Sequence, residues 1–456
     1  MQNIEKKTKL GVSGYRGVWG KDLSQQITFE YALAFARIIK ERGQRGSVKI
    51  LIGRDARSTG SLMLEAVKSA FIKENIQYEY AGIIPTPSIL LLVKKLSYDA
   101  GVMITASHNP KEYNGLKFVM KEGIFPTADE ISEIENKKNS LEGKKYIKST
   151  ETENINFDNA KFRKIHIEEI LKNIDVDLIK SKKFKVALDP INSAGSIIAQ
   201  ELLQELGCKT FVINGEQNGD FTHAPEPRPE NLTELGKAVL ESSSDIGFAQ
   251  DPDADRLLVV TEKGEVLIEE YTLPLAIKNV LNKEKGNVVI NLSTSNTSAD
   301  VALSLGAKVY HAKVNDSDVI EKMKEVGAVI GGEGHGGVIY PPINMAEDSL
   351  VGIALILELL AKENKKISEI ADSLPKYVFK KEKIPASLDV ESIYRKIKDK
   401  FPEAQIDEQD GLRLDFADRS WLHIRPSNTE PIIRIYGEAK TKDQIESLVT
   451  SILPQL

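Results

Sequence analysis

The feature that most limits how this chain can fold is a recurrence. An apolar, β-branched strand, a polar or glycine-bearing turn, a helix, a second strand and a third strand running into a polar loop occur three times. The first copy places strands at 48–52, 78–83 and 101–104 around a helix at 62–76, and its loop begins at Thr105. The second has strands at 184–188, 210–213 and 246–249, a helix at 197–206, and a loop from Asp251. The third has strands at 287–291, 308–311 and 328–330, a helix at 299–305, and a loop from Gly331. Short apolar strands alternating with helices predict α/β layers, and ligand loops in such sheets lie beyond strand ends. From about Leu374 the style changes to one helix at 393–398 and strands at 412–416, 421–425 and 432–436, which predicts a smaller α+β domain. The expected divisions are 1–150, 151–257, 258–373 and 374–456, with 135–154 read as a solvated connector.

A chain of 456 residues calls for several cores. The formal charge of −6 argues against a general nucleic-acid binder, so an anionic ligand must meet locally gathered cations. Residues 1–7 lack the apolar core of a signal peptide. The most apolar run, 349–361, is too short for a bilayer and contains Glu358, so a cytoplasmic location and no membrane partner are expected. The single cysteine, Cys208, rules out an intrachain disulfide and a cysteine-based metal cluster.

The first loop reads Thr105-Ala106-Ser107-His108-Asn109-Pro110 and continues through Tyr113-Asn114-Gly115-Leu116-Lys117. Serine beside histidine suggests a hydrolase, but adjacent residues on a tight turn are not expected to form a nucleophile–base hydrogen bond, and no Gly-x-Ser-x-Gly elbow is present. A Ser/Asn/Pro turn without chemistry is the plain alternative. The second loop, Asp251-Pro252-Asp253-Ala254-Asp255-Arg256, spaces three carboxylates two apart, where their oxygens can converge on a hard divalent cation. It is not an EF-hand, because Arg256 stands where that loop needs glycine and residues 257–260 continue as a strand. A solvated acidic turn does not explain a position between two buried strands.

The third loop, Gly331-Gly332-Glu333-Gly334-His335-Gly336-Gly337, contains a formal Gly-x-Gly-x-x-Gly. A dinucleotide fingerprint needs a helix next, whereas Val338-Ile339-Tyr340 is strand-like. What remains is backbone open to close ligand approach, with Glu333 and His335 able to grip hydroxyls; a plain glycine-rich hairpin is the alternative. In the last domain, Arg425-Pro426-Ser427-Asn428-Thr429-Glu430-Pro431, with Arg434 beyond it, has the donors of a phosphate cradle, although a polar turn alone would look the same.

These four loops, in this order, together with Ser13-Gly14-Tyr15-Arg16-Gly17, resemble the α-D-phosphohexomutase family from about Leu10 to the end of the chain. The resemblance implies three related α/β domains with mixed sheets between helices and a smaller C-terminal α+β domain like the TATA-binding protein, around one central cleft. It implies a phosphoserine at Ser107. It assigns one Mg²⁺ to Asp251, Asp253, Asp255 and the Ser107 phosphate, and cationic support to Arg16 and Arg256, with His108 in the same loop. Lys117 would move a proton to or from the sugar hydroxyl, with a pKa lowered by neighbouring cations. Glu333, Gly334 and His335 would read the sugar, and Arg425, Ser427, Asn428, Thr429 and Arg434 would hold the other phosphate. The implied reaction interconverts hexose 6- and 1-phosphates through a hexose 1,6-bisphosphate that turns end for end, in a monomer or homodimer. Most family loops read Gly-Glu-x-Ser-Gly-His; here His335 stands at the serine position and Gly337 at the histidine position. That variant resembles proteins assigned as phosphoglucosamine mutases and favours glucosamine 6-phosphate. Phosphomannomutase or phosphoglucomutase activity is the near alternative, and a metal-dependent sugar-phosphate phosphatase the distant one.

Overall fold

Ile50, Leu51 and Ile52 are all fully buried, as a parallel strand covered on both faces requires. They lie in the first of four sheets of a computed structural model that describes residues 11, 13–43, 47–141, 143–148, 160–385, 390–426 and 432–453. These residues divide into two compact units, Met1–Glu269 with Gly337–Ser368, and Glu270–Gly336 with Glu369–Leu456.

In the first unit, strands β1 (Gly14–Val18), β2 (Lys49–Arg54), β3 (Gln77–Ile83), β4 (Ala100–Ile104) and β5 (Tyr113–Met120) form a sheet of order β1-β5-β4-β2-β3. The β2 strand pairs in parallel with β3 and β4, β5 runs antiparallel to β4, and β1 lies antiparallel beyond β5 at the edge. The same plan recurs in β6 (Lys185–Asp189), β7 (Lys209–Val212), β8 (Ile246–Gln250) and β9 (Leu257–Thr261), ordered β7-β6-β8-β9 with only the last pair antiparallel. In the second unit, β10 (Asn287–Asn291) again pairs in parallel with β11 (Val309–Ala312) and β12 (Ala328–Glu333). The short β13 (Gly337–Ile339) belongs to the first unit. The threefold recurrence is thus a repeated sheet topology, and the three polar loops follow the equivalent strands β4, β8 and β12.

The C-terminal part of the second unit is an antiparallel sheet of β14 (Val378–Pro385), β15 (Gln405–Asp407), β16 (Leu412–Asp415), β17 (Trp421–Pro426) and β18 (Ile432–Ala439), ordered β14-β18-β17-β16-β15. Helices Val390–Lys400 and Lys442–Ile452 cover it with Ile393, Ile397, Ile445 and Val449.

Three boundaries differ from expectation. Residues 113–117 are not loop but the start of β5, where Lys117 faces Met103 across the sheet. The third loop begins at Gly334, because Gly331 and Gly332 pair with Val289 and Ile290 and extend β12. A Cβ on Gly331 would lie 2.6 Å from the Met323 sulfur and 2.7 Å from the Val289 carbonyl oxygen, so the glycine serves strand packing there. The expected connector begins as helix Ala128–Asn139, which buries Ile131 and Ile134 behind a Thr127–Glu130 capping box.

Candidate active site

The β4 strand delivers its chain into the core-facing loop at Thr105. The Thr105 hydroxyl donates to Asp55 Oδ2 at 2.7 Å and accepts the Ser107 N–H at 2.9 Å. Ser107 itself takes a left-handed conformation, φ 48°, which a non-glycine residue adopts only under constraint. Its Oγ donates to Asp251 Oδ2 at 2.9 Å and lies 3.2 Å from His108 Nδ1. The expectation that neighbours could not meet this way is therefore corrected. Ser107 and His108 do form the contact, because the left-handed backbone turns the chain sharply enough to bring the two side chains together.

Asp251, Asp253 and Asp255 follow β8 on a turn whose Ala254 is also left-handed, φ 54°. One oxygen from each lies within 4.8 Å of the others. Asp251 and Asp253 are fully buried. Asp253 Oδ2 accepts from Thr86 Oγ1 at 2.5 Å and from Lys117 Nζ at 2.8 Å, yet Asp253 Oδ1 and Asp255 Oδ1 are buried without a hydrogen-bond partner. Burial, followed by the charges of Asp255 and Asp253, pushes the Asp251 carboxyl well above its ordinary range. Converging carboxylates with orphaned oxygens fit a hard cation held by oxygen ligands.

Three cations surround this cluster. Lys117, on β5, bonds Asp253 and, at 3.0 Å, Asp255. Burial opposes its charge, but Asp253 and Asp255 outweigh burial and hold the ammonium above its ordinary pKa. The expected lowering by neighbouring cations is thus reversed in the chain alone; Arg16 does pull that way, but more weakly. Arg16 is carried in by β1, which pairs antiparallel with β5, and its Nη1 reaches Asn109 Oδ1 at 3.4 Å. Arg256 lies at the other end of the acidic turn and faces Asp255, Asp251 and Glu347 electrostatically, with Glu226 at 3.9 Å.

Within the second unit, Asn291 Nδ2 donates to Glu333 Oε1 at 2.5 Å, and His335 Nε2 lies 2.6 Å from Glu333 Oε2. Gly334 donates its N–H to Thr294 Oγ1 at 3.0 Å. A Cβ there would come within 2.2 Å of the Glu270 carboxylate, so glycine is required for that carboxylate to lie against the loop. Arg425 and Arg434 face each other across β17 and β18. Arg425 Nε is 3.4 Å from Asp410 Oδ2, and Arg434 Nη1 is 3.5 Å from the Tyr436 hydroxyl. Ser427, Asn428 and Thr429 lie outside the described residues.

The first unit therefore gathers Arg16, Ser107, His108, Lys117, Asp251, Asp253, Asp255 and Arg256, and the second holds Glu333, Gly334, His335, Arg425 and Arg434. Sequence reasoning missed Asp55, Arg57 and Thr86. The run Gly53-Arg54-Asp55-Ala56-Arg57 just beyond β2 was the available signal for the first two. Thr86 has no motif around it.

Four consecutive family models match the chain. They are described as phosphoglucomutase/phosphomannomutase α/β/α domains I, II and III, at residues 7–145, 164–264 and 269–377, and the C-terminal domain, at 378–455. The chain belongs to the phosphoglucomutase/phosphomannomutase family. It is thus a phosphohexomutase, an isomerase of the α-D-phosphohexomutase type. Among curated relatives, a Thermococcus kodakarensis phosphoglucomutase/phosphomannomutase is 34% identical, over 95% of each chain. A Sulfurisphaera tokodaii phosphoglucosamine/phosphogalactosamine mutase is 32% identical over 97% of each, and a Methanococcus maripaludis phosphoglucosamine mutase 32% identical over 96% of each. A solved family protein from Burkholderia thailandensis superposes with TM-score 0.83 at 25% identity, covering 98% of this phosphohexomutase and 96% of that chain. An Aspergillus fumigatus N-acetylphosphoglucosamine mutase, solved with GlcNAc-6P and magnesium, shares the fold at TM-score 0.63 and 12% identity, covering 98% and 95%.

Proposed function

We propose that this phosphohexomutase interconverts glucosamine 6-phosphate and glucosamine 1-phosphate in the cytoplasm, as a monomer or homodimer, using Ser107 as phosphoryl carrier and a hexose 1,6-bisphosphate as intermediate. The observation that carries this reading is Ser107 Oγ, 2.9 Å from Asp251 within a buried carboxylate cluster that has two unpartnered oxygens. Asp251, Asp253 and Asp255 would hold Mg²⁺, whose charge, when bound, offsets that of the phosphoryl oxygens.

In the first half-reaction the bond between phosphorus and Ser107 Oγ breaks and a bond from phosphorus to the sugar hydroxyl oxygen forms. The hydroxyl proton ends on Ser107 Oγ, where His108 Nδ1 at 3.2 Å can hold or pass it. The reoriented bisphosphate then reverses the exchange. Arg16, Lys117 and Arg256 supply fixed positive charge, and preorganised charge of this kind is commonly the largest contribution to phosphoryl transfer. Given its carboxylate partners, Lys117 serves first as a cation; the proton-transfer role that resemblance implied for it requires those carboxylates to be engaged elsewhere. Glu333 and His335 read the sugar, and Arg425 and Arg434, with Ser427, Asn428 and Thr429, hold the phosphate that is not reacting.

The Gly-Glu-Gly-His-Gly-Gly loop and the names of the two phosphoglucosamine mutase relatives support the amino sugar. The test is phosphorus NMR with Mg²⁺, a trace of hexose 1,6-bisphosphate, and glucosamine 6-phosphate competing against mannose 6-phosphate. Faster growth of the glucosamine 1-phosphate signal, abolished in Ser107→Ala, is expected. Preference for mannose would overturn the sugar assignment, and turnover by Ser107→Ala would overturn the mechanism.

A further inference from the structure

Arg57 is a fully buried arginine at the mouth of β2, and every hydrogen its guanidinium can donate has an acceptor. Nε donates to Asp55 Oδ2 at 3.0 Å. Nη1 donates to the carbonyls of Pro110 and Tyr113 at 2.7 and 3.1 Å, and Nη2 to those of Ser107 and Asn109 at 2.5 and 2.6 Å. Five donors thus meet five acceptors: Asp55, three carbonyls of the serine loop, and the carbonyl of Tyr113 at the start of β5. The Phe221 ring, 5.0 Å from Cζ, covers one face. An arginine so saturated has no donor left for a ligand phosphate, which separates it from Arg16 and Arg256.

Its partner Asp55 works on the same loop through Thr105. Asp55 Oδ1 accepts the Arg57 N–H at 3.0 Å, and Oδ2 accepts the Thr105 hydroxyl that in turn receives the Ser107 N–H. The pair therefore grips Ser107 at both its N–H and its carbonyl. Left-handed backbone at a non-glycine residue costs on the order of 1–2 kcal/mol, so the loop needs such a grip to keep Oγ on Asp251.

We propose that Arg57, anchored by Asp55, is a positioning residue that holds Ser107 in its left-handed conformation and so aims Oγ at the acidic cluster. Its role is in phosphoryl transfer and not in sugar or phosphate recognition. The proposal rests on the reading of Ser107 as phosphoryl carrier.

The test compares wild type, S107A and Arg57→Lys in the full chain, following isomerisation kinetics and the rise in Tm on adding Mg²⁺. Lysine keeps the charge but offers three donors in place of the planar fork of five. The expected result is a kcat lower by on the order of 10²-fold with KM for the hexose phosphate within about threefold, since a misplaced reacting atom slows transfer without weakening ligand contacts. The Mg²⁺-linked Tm rise should persist, which loss of the surrounding fold would abolish. An R57K enzyme with wild-type kcat, or one whose defect lies in KM alone, overturns the positioning role. Should R57K fail to fold, Asp55→Asn is judged by the same split. A wild type inert towards hexose phosphates removes the mutase reading and this proposal with it, whereas active wild type beside equally active R57K removes this proposal alone.

Discussion

Asp251, Asp253 and Asp255 converge on one turn, and the first two are fully buried, so their charges repel one another at short range. Asp251 carries the clearest sign, its carboxyl pushed up by burial and by its two neighbours. Asp251→Asn should therefore raise the Tm of the metal-free protein while removing the further rise that Mg²⁺ gives, because a ligand that binds only the folded state stabilises it by mass action. Thermal melts with and without Mg²⁺ check both halves, and an unchanged Mg²⁺ response would count against the triad as the metal site. Gly334→Ala is a second residue-scale prediction. Its Cβ would sit 2.2–2.3 Å from the Glu270 oxygens, so the Glu333–His335 turn must shift. A KM for hexose phosphate raised roughly tenfold, with the Mg²⁺ response intact, is expected from losing one or two hydroxyl contacts. At this scale the serine loop and the acidic turn were legible as polar loops because each is written in a short run of sequence. The Ser107–His108 contact was not, since it depends on a left-handed φ that no residue type announces.

Elements repeat their end devices as well as their order. Each central strand closes with a side-chain oxygen that accepts the N–H two residues on: Asp55 from Arg57, Asp189 from Ile191, and Asn291 from Ser293. Each then steadies a neighbouring segment, through Thr105, Asn214 and Glu333 respectively. Asparagine at the third position follows from its partner: Glu333 is a carboxylate and needs a donor. Helix Thr86–Lys95, helix Ala160–Leu171 and helix Ser349–Glu363 meet in a Ser88–His166–Asp348 relay with both hydrogen bonds at 2.8 Å. All three residues are fully buried, so this arrangement is a tie between helices and not a hydrolytic triad. Asp348 also caps its helix by accepting from Leu350 and Val351. His166→Ala should cost roughly 3 kcal/mol by leaving a buried carboxylate short of a partner. Denaturant unfolding of the first unit's signal measures it, with KM expected to stay unchanged in the folded fraction.

On the scale of the whole molecule, the second unit carries two buried titratable groups that act in opposite directions. His423 donates from Nε2 to the Asp410 carbonyl at 2.6 Å, so Nδ1 accepts from Ser293 Oγ at 2.8 Å, and burial lowers its pKa from 6.5 to about 4. A depressed group gives stability that is complete above the unfolded value and lost as pH falls, here between about 6.5 and 4. Glu438 accepts from the Asn296 N–H at 2.9 Å and Trp421 Nε1 at 3.2 Å, and burial raises its pKa from 4.5 to about 7. Its contribution is complete below about 4.5 and is lost as pH rises through about 7. The two windows overlap between about 4.5 and 6.5, where the slopes oppose each other, so the Tm of this unit should be nearly level there, and Glu438→Gln should turn that level stretch into a rise with pH. A Tm profile indifferent to that substitution would remove Glu438 from the account. No helix among the described residues is long and apolar enough to cross a membrane.

The sequence alone was enough to determine the threefold repeat, the polar stretches that follow the third strand of each copy and the hard-oxygen character of Asp251, Asp253 and Asp255. Strand hydrophobicity and carboxylate spacing are local properties, written in neighbouring residues. Tertiary structure decided what those residues face. It set β1 beside β5 and so brought Arg16 to the Ser107 loop, gave Lys117 carboxylates in place of the expected cations, and closed Arg57 over the carbonyls of Ser107, Asn109, Pro110 and Tyr113. These outcomes depend on partners tens to more than a hundred residues away, and a buried charge takes its behaviour from such partners more than from its own chemistry.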